Sequence, residues 1–174
     1  MQLHAIGKGL SACLLAFTAL AVPASLAAQQ SGTVLKPADL EKLIPASVYY
    51  KGQSATVQVR NSGGVKFGDG FYVWSALVDT SGYSSDVQAK YSAYFVTEVP
   101  IQIGSEHLPA GIYGIGFVGG NKFVVTDVGA HDLFTISSSI DEGLKRPMPL
   151  QVLSDPSGGF RLYEGRRYVN FSRP

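Results

Sequence analysis

From Ala55 onward the chain is written mostly in period two. Ala55, Val57 and Val59 alternate with Thr56, Gln58 and Arg60, the pattern of a strand with one face buried. Asn61-Ser62-Gly63-Gly64 and Gly68-Asp69-Gly70 follow as turns, and Phe71 to Val78 is apolar on both faces, which predicts a central strand. Tyr91 to Ile103 is the longest alternating run. Tyr91, Ala93, Phe95, Val99, Ile101 and Ile103 share one face; Ser92, Tyr94, Glu98 and Gln102 share the other. Pro100 has no N–H for a ladder, so it predicts an edge or a bulge. Gly104-Ser105 fits a two-residue hairpin turn with positive φ at the glycine. Leu108-Pro109-Ala110-Gly111 is another tight turn, and Gly119-Gly120-Asn121 joins strands over 112–118 and 122–128. Further short strands fall at 133–136, 150–153, 160–163 and 168–171.

Helical pattern is sparse. Pro37 suits a first helical position, and Leu40, Leu43 and Ile44 share a face before Pro45, so a short helix is predicted over 37–44. A second short piece fits 84–90. Residues 28–36 read as a polar lead. Many short strands between Gly and Pro turns predict an all-β fold, a sandwich or small barrel of about 7–10 antiparallel strands. No repeat or linker divides it, so 28–174 is expected to form a single domain.

The first 27 residues are different. Lys8 and the amino terminus precede a run from Leu10 to Val22 that only Ser11 and Thr18 break, and Ser25-Leu26-Ala27 places small residues at a cleavage site. This is the three-part secretory pattern, and it predicts export to the periplasm or the medium with cleavage near Ala27. The run is shorter than the ~20 residues that span a bilayer, and no transmembrane segment is expected in the mature chain. Leu10-Ser11-Ala12-Cys13 matches a lipobox, but the apolar stretch follows the cysteine instead of preceding it, so lipidation is not expected. Cleavage removes the single cysteine, and with it disulfides and thiolate chemistry. Without Lys8 the basic residues fall from fourteen to thirteen, equal to the thirteen acids. Such a balance argues against nucleic-acid binding, which leans on excess positive charge.

Ile103-Gly104 followed by Leu108-Pro109-Ala110-Gly111-Ile112-Tyr113 resembles the strand–turn–strand "LPAGxY" segment of the DUF2911 class of uncharacterised secreted bacterial proteins. The resemblance covers about thirty residues, Phe95 to Val125. It implies an all-β fold and no particular activity. The Trp-Arg segment expected upstream is absent, since Ser75 follows Trp74.

The most site-like cluster is Asp127, His131 and Asp132, where two carboxylates and an imidazole could hold a divalent ion or orient a general base. The spacing matches no established motif, and the plainer reading is a turn whose aspartates accept backbone N–H bonds. His107, beside the Gly104 turn, could join His131 if the sheets bring them together; otherwise it is a solvated turn histidine. Gly114, Gly116, Gly119 and Gly120 resemble a nucleotide loop, but a strand-like Lys122-Phe-Val-Val follows where the dinucleotide fingerprint needs a helix. They are read as a strand thinned by glycine. Ser137-Ser138-Ser139 reads as a polar loop. Lys145-Arg146, Arg161, Arg166-Arg167 and Arg173, with Tyr163 and Tyr168 among them, form either a solvated strand face or a seat for an anionic polymer or headgroup; the first is expected. Nine Tyr, nine Phe and one Trp are expected to fill the core.

No catalytic constellation, metal set or cofactor motif emerges. The expectation is a secreted or periplasmic non-catalytic β domain, a binding or accessory module, with a small apolar ligand or a carbohydrate as its partner. Asp127, His131, Asp132 and His107 are its candidate ligand-binding residues. The alternatives are a hydrolase-type enzyme or metal site using Asp127, His131 and Asp132, and a lipocalin-like carrier with an enclosed apolar cavity.

Overall fold

A computed structural model describes residues 31–174; the secretory segment and Cys13 lie outside them. Fourteen strands and two single-turn helices follow in the order β1 (Gly32–Leu35), α1 (Pro37–Leu40), β2 (Ser47–Tyr50), β3 (Gln53–Phe67), β4 (Tyr72–Val78), α2 (Ser85–Gln88), β5 (Ala93–Thr97), β6 (Ile101–Ile103), β7 (Glu106–Leu108), β8 (Gly111–Val118), β9 (Lys122–Thr126), β10 (Asp132–Ser137), β11 (Ser139–Ile140), β12 (Gln151–Ser154), β13 (Phe160–Glu164) and β14 (Arg167–Ser172). They build two antiparallel sheets. The eight-stranded sheet runs β1-β3-β4-β5-β8-β9-β10, with β2 also paired to β3. The six-stranded sheet runs β12-β13-β14-β6-β7, with β11 also paired to β14. The sheets pack face to face as a sandwich and do not close into a barrel, so a lipocalin-like calyx is not the architecture.

The inner faces meet in one core that includes Val65, Phe95, Ile101, Ile103, Phe123, Leu162 and Phe171. A second cluster covers the outer face of the eight-stranded sheet, where Leu40, Tyr50, Val57, Trp74, Val87, Tyr91 and Tyr94 pack together. The second layer explains why β4 is apolar on both faces. It also buries Tyr94, which the alternation had placed on a polar face.

Several local expectations are corrected. Asn61–Gly64 is not a turn: it lies inside β3, where the pairing with β4 shifts register between Gln58 and Ser62. The glycine there serves close packing, because a Cβ on Gly63 would stand 2.6 Å from the backbone nitrogen of Val152 in the other sheet. Tyr91–Ile103 is two strands, with β5 in the larger sheet and β6 in the smaller, and Pro100 sits at the crossing. The lead contains β1, which pairs with residues 64–67 of β3. The first helix stops at Leu40 and continues as a turn. Ser137–Ser139 is no loop but the passage from β10 to β11, with Ser138 buried.

The β6–β7 hairpin is an excursion into the second sheet, and the Pro109-Ala110 corner returns the chain to β8. Gly104 has φ of +57° as its turn requires. Gly111 does not have positive φ; it begins β8 opposite Thr97. Tyr113 closes the corner by donating its hydroxyl to the Pro109 carbonyl at 3.0 Å, and its phenol fills the space a Gly111 Cβ would need. The LPAGxY segment is therefore a structural corner in this chain.

Candidate functional site

Two glycines of β8 prepare the outer face for a pocket. A Cβ on Gly114 would lie 2.5 Å from the Tyr50 ring and 2.6 Å from Thr126 Oγ1, and one on Gly116 would collide with the Lys90 carbonyl oxygen. Bare backbone there lets Tyr50 and the Lys90–Tyr91 segment rest directly on the sheet, as the reading of a glycine-thinned strand expects. Tyr50 stacks on Tyr91 with ring centroids 3.7 Å apart, and Tyr83 meets both edge-on. The Tyr50 hydroxyl donates to Thr126 Oγ1 at 2.7 Å, and Thr126 donates to the Gly114 carbonyl at 3.2 Å. Burial raises the Tyr50 pKa, and the Asp127 and Asp132 carboxylates push it the same way, so these acids lie within electrostatic reach of the tyrosine floor.

Above this floor lies a pocket of about 180 Å³ lined by Tyr50, Lys51, Asp86, Val87, Lys90, Thr126 and Ala130. Its walls are the β2–β3 turn, α2 with the residues after it, and the β9–β10 loop. The two loops are tied together, because Lys51 N–H donates to the Val128 carbonyl at 2.7 Å.

The sequence-predicted cluster forms the β9–β10 loop. Asp127 Oδ1 accepts from the Gly129 and His131 N–H groups at 2.8 and 2.9 Å, and Oδ2 accepts from His131 Nδ1 at 2.9 Å. These donors, led by the His131 N–H, hold the Asp127 carboxyl below the usual carboxylate range. The backbone closes the loop as well, from Ala130 N–H to the Asp127 carbonyl and from Asp127 N–H to the His131 carbonyl. This is a type I turn followed by a residue with positive φ, a position that normally takes glycine. Here it is Ala130, at φ of +68°, while the glycine stands one place earlier, where a Cβ would press to 3.0 Å on the His131 ring.

Asp132 does not join Asp127 and His131. It accepts from Lys90 Nζ at 2.6 Å, a pair that pins the segment after α2 to β10. His107 is exposed on β7 in the other sheet, opposite Gln102, with no hydrogen bond to the cluster. Among the described residues no group of three or more His, Cys, Asp and Glu side chains is placed to hold a metal. Of the basic face expected to be solvated, Lys145 and Arg146 are exposed, but the other four arginines are engaged. Arg161 pairs with Asp155 at 3.1 Å, Arg167 with Glu164 at 3.1 Å, and Arg173 with Asp69. Arg166 donates to the Asp141 and Glu142 carbonyls. Their guanidinium groups brace the six-stranded sheet and its approach to the larger one.

Sequence reasoning missed Lys51, Asp86, Val87 and Lys90, which complete the pocket. They lie 37 or more residues before Asp127, and only the packing of three separate segments brings them to it. It also missed an apolar cleft of about 250 Å³, where residues 34–37 face Ser62, Met148 and residues 150–153. No helix among the described residues is long and apolar enough to cross a membrane. Comparison with family models, curated proteins and solved structures finds no match.

Proposed function

We propose that the protein is an exported, non-catalytic binding module that holds a small polyhydroxylated ligand, of the size of one sugar ring, in the pocket between the Lys51 turn and the Asp127 loop. The observation that carries this reading is the engagement of Asp127. Both of its oxygens serve its own loop, and the His131 side chain is 80% exposed. A general base works best oriented toward substrate and screened from bulk water; this pair instead braces the loop whose Ala130 lines the pocket. The pocket offers ammonium donors from Lys51 and Lys90 and an acceptor from Asp86, beside the apolar surface of Val87 and Ala130. A pyranose presents hydroxyls that donate and accept around a ring with apolar C–H faces, which suits that mixture. Its volume exceeds the ~150 Å³ of a cavity that admits benzene. The positive φ of Ala130, where glycine would be less strained, also supports a role for this wall, since strain of this kind collects at functional sites. Export rests on the secretory pattern of residues 1–27.

The test is calorimetric titration of the purified protein with glucose, galactose, mannose and N-acetylglucosamine. At least one is expected to bind saturably, and Lys90→Met and Asp86→Asn to weaken it tenfold or more with the fold intact. Release of nitrophenol from nitrophenyl esters or glycosides, lost in His131→Ala, would overturn the reading in favour of a hydrolase.

A further inference from the structure

We propose that the cleft between β1 and β12 is a second binding site, for an anionic amphiphile of the fatty-acid class. It is independent of the polar pocket. Among the described residues β1 and β12 are end strands of their respective sheets, each paired on one side only. The sandwich is thus open along this side, whereas the passage from β10 to β11 straps the sheets together elsewhere. Val34, Leu35 and Pro37 form one wall of the cleft, and Met148, Leu150 and Val152 form the other. The backbones converge beneath it, where Gly63 meets Val152.

The polar groups in the lining narrow the choice of occupant. Ser62 donates its hydroxyl to the Val59 carbonyl, and Gln151 donates its side-chain amide to the Arg146 carbonyl. The Ser62 proton is therefore taken, while Gln151 keeps its second N–H and its amide oxygen. Lys36 is the one charged residue of the lining, and its ammonium has no ion-pair partner among the described residues. An apolar trough whose one charged lining residue is an exposed lysine is complementary to an alkyl chain that ends in a carboxylate; the nearby Asp39 carboxylate is engaged by the Lys36 backbone N–H. A neutral chain would leave the charge unused, and a cationic one would be repelled. The volume of about 250 Å³ suits a chain of medium length.

The experiment is calorimetric titration of the purified protein, below micelle-forming concentrations, with decanoate, decanol and decyltrimethylammonium. Decanoate is expected to bind one per chain, at least tenfold more tightly than the cationic analogue, with decanol between them. Lys36→Glu should reverse the order of the two charged probes. Met148→Asp should abolish decanoate binding without altering the circular dichroism spectrum, since Met148 is 44% exposed. Nuclear Overhauser contacts between decanoate and the Met148 methyl in the unaltered protein give a check that depends on no variant. Equal affinities for the three probes, indifference to Lys36→Glu, or absence of these contacts would overturn the assignment.

Discussion

Ile136 of β10 lies against Gly104 of the β6–β7 turn, its Cδ1 only 2.6 Å from the place a Cβ would occupy. The contact joins the edge of one sheet to a hairpin of the other, and it occurs at a residue whose φ is already positive. Gly104 is therefore required twice, once by its turn and once by its neighbour. Gly104→Val is expected to lower stability by about 2–4 kcal/mol, from left-handed strain and overpacking together. Ser105→Val should stay within about 1 kcal/mol. Ile136→Val should recover part of the Gly104→Val loss, and urea denaturation of the single and double variants measures that coupling.

The glycines of β8 make a parallel prediction about the pocket floor. Gly114→Ala and Gly116→Ala should both destabilise, the second by about 2–3 kcal/mol. The obstacle at Gly116 is the backbone carbonyl of Lys90, which cannot rotate away, while that at Gly114 is largely the Tyr50 side chain. Thermal melts rank the two, and both variants should also weaken sugar binding.

The Asp127 loop separates scaffold from strain. His131→Ala should shift the denaturation midpoint no more than an ordinary surface change, because the imidazole is largely exposed. Asp127→Ala should shift it further, because two backbone N–H groups lose their acceptor. Ala130→Gly should stabilise by up to about 1 kcal/mol by relieving a positive φ. If the wall matters for binding, the same change should reduce sugar affinity while raising the melting temperature.

Acid stability should be governed in part by Asp155, whose side chain is 1% exposed. Burial raises the pKa of this carboxyl, but the Ser157 N–H and Arg161 outweigh burial and bring it below the usual range; Asn170 Nδ2 donates at 2.7 Å as well. A lowered folded pKa means that its contribution is fully present above the unfolded value of about 4. The contribution is then lost as pH falls through the lower folded value. Asp155→Ala should cost about 3 kcal/mol at pH 7, the low end for a broken buried pair, because Arg161 keeps contact with water. The variant should also flatten the fall in stability below pH 4, as read by urea midpoints across pH.

Where one residue alternates with the next, the fold was legible. The turns at Gly104 and Gly120 and the central strand at Phe71–Val78 follow from local chemistry alone. What local pattern does not carry is which sheet a strand joins. Tyr91–Ile103 keeps its alternation through Pro100 while the chain changes sheets, and Asn61–Gly64 has turn composition yet stays extended because Gly63 must admit the backbone of Val152. Ile112, the first apolar residue after Gly111, faces outward at 47% exposure although Ile101 and Ile103 before the corner are buried. The Asp127–His131 contact was visible as a four-residue spacing. The partnership of Asp132 with Lys90 was not, because 42 residues separate them.

Chemical-shift mapping of the backbone amides during titration with the tightest-binding monosaccharide tests the binding-module reading most directly. The predicted result is a saturable set of shifts confined to residues 50–51, 86–91 and 126–132, with the sugar recovered unchanged. Shifts centred elsewhere, or conversion of the sugar during the titration, would contradict it.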